Sequence, residues 1–190
     1  MTTSPPVTPS ARSSLRGTRV KGKPPPLTRR KFAGHWDEID YLYHKLLYWF
    51  YECGDRRQAK PYGDRLERLL DEFCPDDHVI VPEECRSLIC EVRGDLPGAI
   101  KHRENEIRLI KRLHRISQNT PSRNFALSQY DYSDLSDRLD LLATLYHEAA
   151  KPKRALRTLE ESKHLCTTHG LMFAGQGLMR ECLRQIRAIG

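Results

Sequence analysis

Three residues near the end of the chain, His164, Cys166 and His169, are of the types that hold a transition metal. Their spacing of i, i+2 and i+5 turns the side chains in divergent directions on a helix, and no acidic or cysteine partner is close in sequence. The expectation is therefore a helix end that contains two histidines. Asp76, Asp77 and His78 sit in a proline-flanked stretch and read as turn and N-cap chemistry, and the adjacent Glu160 and Glu161 diverge on a helix, which is wrong for shared acid-base work. The six cysteines contain no C-x-x-C, and Cys85 and Cys90 fall about 140° apart around a helix. No phosphate-binding loop, dinucleotide fingerprint, nucleophile elbow or H-E-x-x-H is present. The sequence points to a non-catalytic protein without cofactor or metal.

Two other groups of side chains could do the chemistry of binding. Tyr41, His44, Tyr48 and Tyr51 recur at i, i+3, i+7 and i+10 along one side of a helix, where tyrosines offer an apolar ring and a polar tip to a partner. A second stripe of the same helix, Trp36, Ile39, Tyr43, Leu46, Leu47 and Phe50, follows the 3.6-residue period and is expected in the core. Further on, Lys101, Arg108, Lys111, Arg112 and Arg115 gather opposite Ile100, Ile107, Ile110 and Leu113, with Glu104 and Arg108 placed as an i,i+4 pair. That basic face suits water, an acidic partner or a nucleic-acid backbone.

The elements that carry these stripes belong to the body of the chain. Residues 1–34 hold eight basic residues and no acidic one, whereas residues 35–190 carry 24 basic against 25 acidic. The net charge of +7 thus belongs to a tail. Half of the twelve prolines lie there with many Ser and Thr, so residues 1–34 are expected to be disordered and residues 35–190 to form one domain. The Arg29-Arg30 pair resembles an export signal, but Asp37, Glu38 and Asp40 follow where an apolar segment would be needed. A transit peptide fits the acid-poor composition, against which the prolines would break an amphipathic helix. No apolar run is long enough for a membrane span, and the cysteines without a secretion signal suit a reduced, cytoplasmic protein.

Within the body one short pattern recurs. Gly54-Asp55 is followed by Ala59, and Gly94-Asp95 by Ala99 at the same offset; Ala150-Lys151 followed by Ala155 is a degenerate third copy. Four residues before each corner stand Phe50, Cys90 and Tyr146, and seven before stand Leu47, Ser87 and Ala143. Each corner is flanked by helical patterns, with Pro97 and Pro152 at first-turn positions. Arg93-Gly94-Asp95 is therefore expected to be a helix corner, not an adhesion motif. These helical hairpins resemble the tetratricopeptide repeat, in a long-helix variant, over residues 39–170. Tyr43 meets the aromatic position near the start of the first helix, where unit two has Glu83; His169-Gly170 closes the third unit, an insertion falls near residues 117–130, and Leu178, Cys182, Ile186 and Ile189 mark a capping helix.

The resemblance implies an all-α solenoid of three hairpins plus the capping helix. Its function would be to bind another protein or peptide in the concave groove, with Tyr41, His44, Tyr48, Tyr51 and Arg86 as contact residues. The competing expectation is a nucleic-acid-associated protein that uses the tail and the face from Lys101 to Arg115.

Overall fold

The computed structural model describes residues 32–74, 80–118 and 131–189. The expected tail up to residue 31, the Asp76–His78 turn and residues 119–130 of the expected insertion lie outside the described residues. The secondary structure of the described residues is all helical. Helix α1 (His35–Leu47) continues into a π-helical turn, Tyr48–Glu52; α2 (Arg56–Phe73), α3 (Ile80–Arg93), α4 (Leu96–Gln118), α5 (Tyr132–Glu148), α6 (Pro152–His169) and α7 (Gln176–Ile189) follow. None is long and apolar enough to cross a membrane. The chain divides into two compact units, one ending at His102 and the other beginning at Arg103, so α4 runs through the division.

The recurring corner is one backbone conformation used three times. Gly54, Gly94 and Ala150 have φ of +64°, +78° and +55°, the left-handed region that lets a helix end and reverse. The next residue's N–H then returns to a carbonyl of the preceding helix: Asp95 to Cys90 at 2.9 Å and Lys151 to Tyr146 at 2.8 Å, each five residues back. At the first corner Asp55 reaches six residues back, to Trp49 at 2.8 Å, because the π-helical turn holds one extra residue. The aspartates start the following helices, Asp55 by accepting from the Gln58 N–H and Asp95 from the Gly98 N–H, both at 3.0 Å. Lys151 makes no such side-chain cap, and Pro152 occupies the first turn instead.

The extra residue corrects the sequence register. Trp49, not Phe50, corresponds to Cys90 and Tyr146, and Leu46, not Leu47, corresponds to Ser87 and Ala143. In this register the three hairpins bury the same positions: Leu42, Glu83 and Leu139; Leu46, Ser87 and Ala143; Ala59, Ala99 and Ala155; Leu66, Glu106 and Ser162 are all at most 2% exposed. The alanines fit where two helices approach most closely. Ser87 Oγ donates to the Ala99 carbonyl at 3.0 Å across the second hairpin.

Trp36 departs from its expected place in the core and is 55% exposed. It lies roughly 90° around α1 from the buried Ile39, Leu42 and Leu46, so it borders the packed stripe without joining it. In the second unit α5 and α6 form the third hairpin, and α7 packs on α6 with Cys182 buried and Leu178 and Ile186 half-buried. Gly175 permits the approach to α7, since a Cβ there would meet the Leu159 side chain at 2.6 Å.

Candidate partner-binding face

Helix α1 positions the tyrosines. Asp37 and Glu38 in its first turn and Lys45 in its last complement the helix dipole. Ile39, Leu42 and Leu46 pack into the core with Leu66, Leu69 and Leu70 of α2. A second side of α1 is stitched to α3: the Tyr43 hydroxyl donates to Glu84 and the Tyr51 hydroxyl to Glu91, both at 2.6 Å. Tyr51 thus serves the interior of the first unit. Arg86 is similarly occupied, donating to the Cys74 carbonyl at the end of α2 at 3.2 Å and lying 3.6 Å from Asp71.

His44 and Tyr48 stand on the side of α1 away from this packing, whereas Tyr41 is partly buried against the core. His44 is exposed, Tyr41 half-buried and Tyr48 40% exposed, with the exposed Trp36 at the start of the same helix. The Lys45 ammonium lies 5.7 Å from the Tyr41 ring centre and 5.9 Å from that of Tyr48, within cation–π range of both. Phe32 tilts against Tyr41 at 5.5 Å, and His35 stacks on Phe73 at 3.5 Å. His44 Nδ1 is 2.9 Å from the Asp40 carbonyl. The Tyr48 hydroxyl, hydrogen-bonded to Cys53, is pushed above the ordinary phenol range. The arrangement is an aromatic surface with one cation held against it, suited to stacking and hydrogen bonding with a polypeptide.

The basic face of α4 is less uniform than its spacing suggests. Lys101, Arg108, Arg112 and Arg115 are exposed, while Lys111 is ion-paired to Glu161 of α6. Glu104 accepts a hydrogen bond from Tyr146, and Arg108 donates to Asn105 at 2.9 Å, so the expected Glu104–Arg108 pair is replaced by these two contacts. Ile100, Ile107 and Ile110 are buried and Leu113 is half-buried.

The three candidate metal ligands diverge. Cys166 is buried with its sulfur 3.0 Å from Ser136 Oγ, His164 is exposed, and His169 stacks on Tyr132 at 3.6 Å. Among the described residues no group of three or more His, Cys, Asp or Glu side chains is arranged to hold a metal ion. The Arg93-Gly94-Asp95 tripeptide is built into its corner, for Arg93 donates to Glu67 at 2.5 and 2.6 Å and to Asp64 at 3.0 Å, and Asp95 caps α4.

Sequence reasoning missed a set of buried ionisable groups. Glu83, fully buried, contacts His102 at 2.7 Å. Glu106, also fully buried, accepts from Arg103 at 2.5 Å and from Arg138 at 2.7 Å. Asp140 is 2% exposed near Ser162, and burial pushes its carboxyl up to about 6 despite a lowering hydrogen bond from Ser162. A signal for Glu106 was present: it stands seven residues after Ala99, where Leu66 stands after Ala59.

The sequence matches no family model, and comparison with curated proteins and with solved structures finds no significant match.

Proposed function

We propose that this chain is a non-catalytic scaffold, a tetratricopeptide-like solenoid of three hairpins closed by α7, that binds another protein or peptide through α1. The carrying observation is the aromatic face of α1 on which His44 and Tyr48 are exposed beside the half-buried Tyr41. Interface energy concentrates in Trp, Tyr and Arg side chains that become desolvated on binding, and here such rings stand at the surface of a helix anchored on two other sides. The recurrent corner supports the repeat reading, since three hairpins of different sequence bury equivalent positions.

The test is capture from cell lysate by the full chain and by a Tyr41→Ala/Tyr48→Ala variant, after nuclease treatment. The proposal expects specific proteins with the parent chain and their loss with the variant, while both chains show the same helical circular dichroism and melting temperature. Equal recovery by the two chains would remove this face as the binding site.

A further inference from the structure

The near-neutral body conceals two opposite charges. Residues 35–102 carry nine Lys and Arg against fifteen Asp and Glu, whereas residues 103–190 carry fifteen against ten. In the first unit three of the six arginines are held by carboxylates or a helix end: Arg65 pairs with Glu38, Arg86 holds the end of α2, and Arg93 bridges Glu67 and Asp64. In the second unit Arg112, Arg115 and Arg157 are exposed and have no carboxylate partner among the described residues.

Two of these side chains, Arg115 and Arg157, share a seam. The Lys111–Glu161 ion pair ties α4 to α6. Arg108 and Arg115 lie one turn to either side of Lys111, and Arg157 and His164 one turn to either side of Glu161, so helix geometry brings them to one surface around that pair. Arg112 adjoins it. We propose that this α4–α6 surface of the second unit contacts a nucleic-acid backbone.

The surface chemistry selects that partner over an acidic protein. A protein interface is anchored by clustered aromatic or aliphatic side chains ringed by polar ones, whereas this seam sets guanidinium and imidazole groups around the Lys111–Glu161 pair, with Ile116 beside Arg112 as an isolated exposed aliphatic side chain. Phosphate contacts need no apolar anchor. Guanidinium forks match phosphate oxygens in bidentate pairs, and the gain comes from counterion release. Arg108 and Arg115, about 10 Å apart along α4, can engage successive phosphates of one strand. The contact reads charge and spacing, not base sequence. It is independent of the aromatic face of α1, which lies in the first unit.

The test measures binding of the full chain to a short labelled single-stranded RNA and to a duplex DNA, over a salt series, by fluorescence anisotropy. Arg112→Ala/Arg115→Ala is compared with Arg180→Ala/Arg187→Ala, which removes the same charge from exposed positions on α7. The α4 pair is expected to flatten the plot of log affinity against log salt by roughly 1.4 for the RNA or 1.8 for the duplex, two phosphate contacts' worth, and the α7 pair to leave it near the parent value. The probe with the larger change identifies the strand type. Equal effects of the two pairs, no binding to either probe, or displacement of the RNA by polyglutamate at matched charge would overturn the proposal. Melting curves of both variants check that the helices persist, and Arg112→Lys/Arg115→Lys, which keeps the charge, should restore most of the slope.

Discussion

The first and third hairpins share a corner and, apart from the one extra residue of the π-helical turn in the first, a register, and they are filled with different chemistry. In the first, Leu42, Leu46, Leu66 and Leu70 close the space between α1 and α2. In the third, the equivalent positions are Leu139, Ala143, Ser162 and Cys166, joined by Ser136 and Asp140. Bulky leucines hold the first hairpin through apolar area, whereas the small side chains of the third bring α5 and α6 close enough for Ser136 Oγ to lie 3.1 Å from Ser162 Oγ. The corner and its alanine set where the helices meet. What fills the meeting point is free to vary, and the variation decides how each hairpin responds to truncation and to pH.

The largest expected effect lies where a charge has entered a core position. Glu106→Gln leaves Arg103 and Arg138 around a neutral amide, and should cost about 4 kcal/mol, read as a loss of hydrogen-exchange protection over α4 and α5 with α1 and α2 unchanged. Leu66→Ala, at the matching position of the first hairpin, should cost about 3 kcal/mol in urea unfolding. If Ser162→Ala cost as much as Leu66→Ala, the contrast between the hairpins would be lost.

The hairpins should also respond oppositely to acid. The Asp140 carboxyl sits higher in the fold than its ordinary value, so its contribution to stability is full below about pH 4 and is lost as pH rises through about 6. Asp140→Asn should therefore stabilise the second unit at pH 7 by on the order of 2 kcal/mol and flatten its profile between pH 4 and 6. In the first hairpin, hydrogen bonds from Lys60 and Arg93 hold the Asp64 carboxyl down, and Arg93 does the same for Glu67. Their contribution is present above the ordinary carboxylate range and fades as pH falls through their lowered values. Unit-resolved hydrogen exchange across pH 3 to 7 checks both signs.

The smallest predicted effect is at the corners. Ala150 adopts the left-handed conformation that Gly54 and Gly94 adopt without a Cβ, so Ala150→Gly should stabilise the third hairpin by about 1 kcal/mol, and Gly94→Ala should cost a similar amount. Thermal melts of the two variants should move in opposite directions.

Much of this was legible in sequence, because it rests on local rules. The Gly-Asp corners, the buried alanines and the inward isoleucines of α4 follow from turn chemistry and helical period. The register of α1 was not legible: nothing in Tyr48 to Glu52 announces a π-helical turn, and one added residue moved Trp49 and Leu46 into the places assigned to Phe50 and Leu47. Of the site, the spacing of Tyr41, His44 and Tyr48 was readable, but the occupation of Tyr51 by Glu91 and of Arg86 by the end of α2 depends on partners about 40 and 12 residues away in sequence, which periodicity cannot reveal. Asp140 was hidden for the same reason, since its burial depends on α6 packing against α5, and the alignment of Glu106 with Leu66 marks a core position without announcing that Arg103 and Arg138 will surround it.

The most direct test of the account is where a bound protein touches the chain. A photo-crosslinking phenylalanine analogue placed at Tyr48, and separately at Thr158 on α6, is irradiated in cells and the adducts are recovered after nuclease and a high-salt wash. Protein adducts from position 48, absent from position 158 and lost when Tyr41→Ala is added, are the predicted result. Protein adducts from position 158 with none from position 48 would contradict the assignment of the binding face to α1.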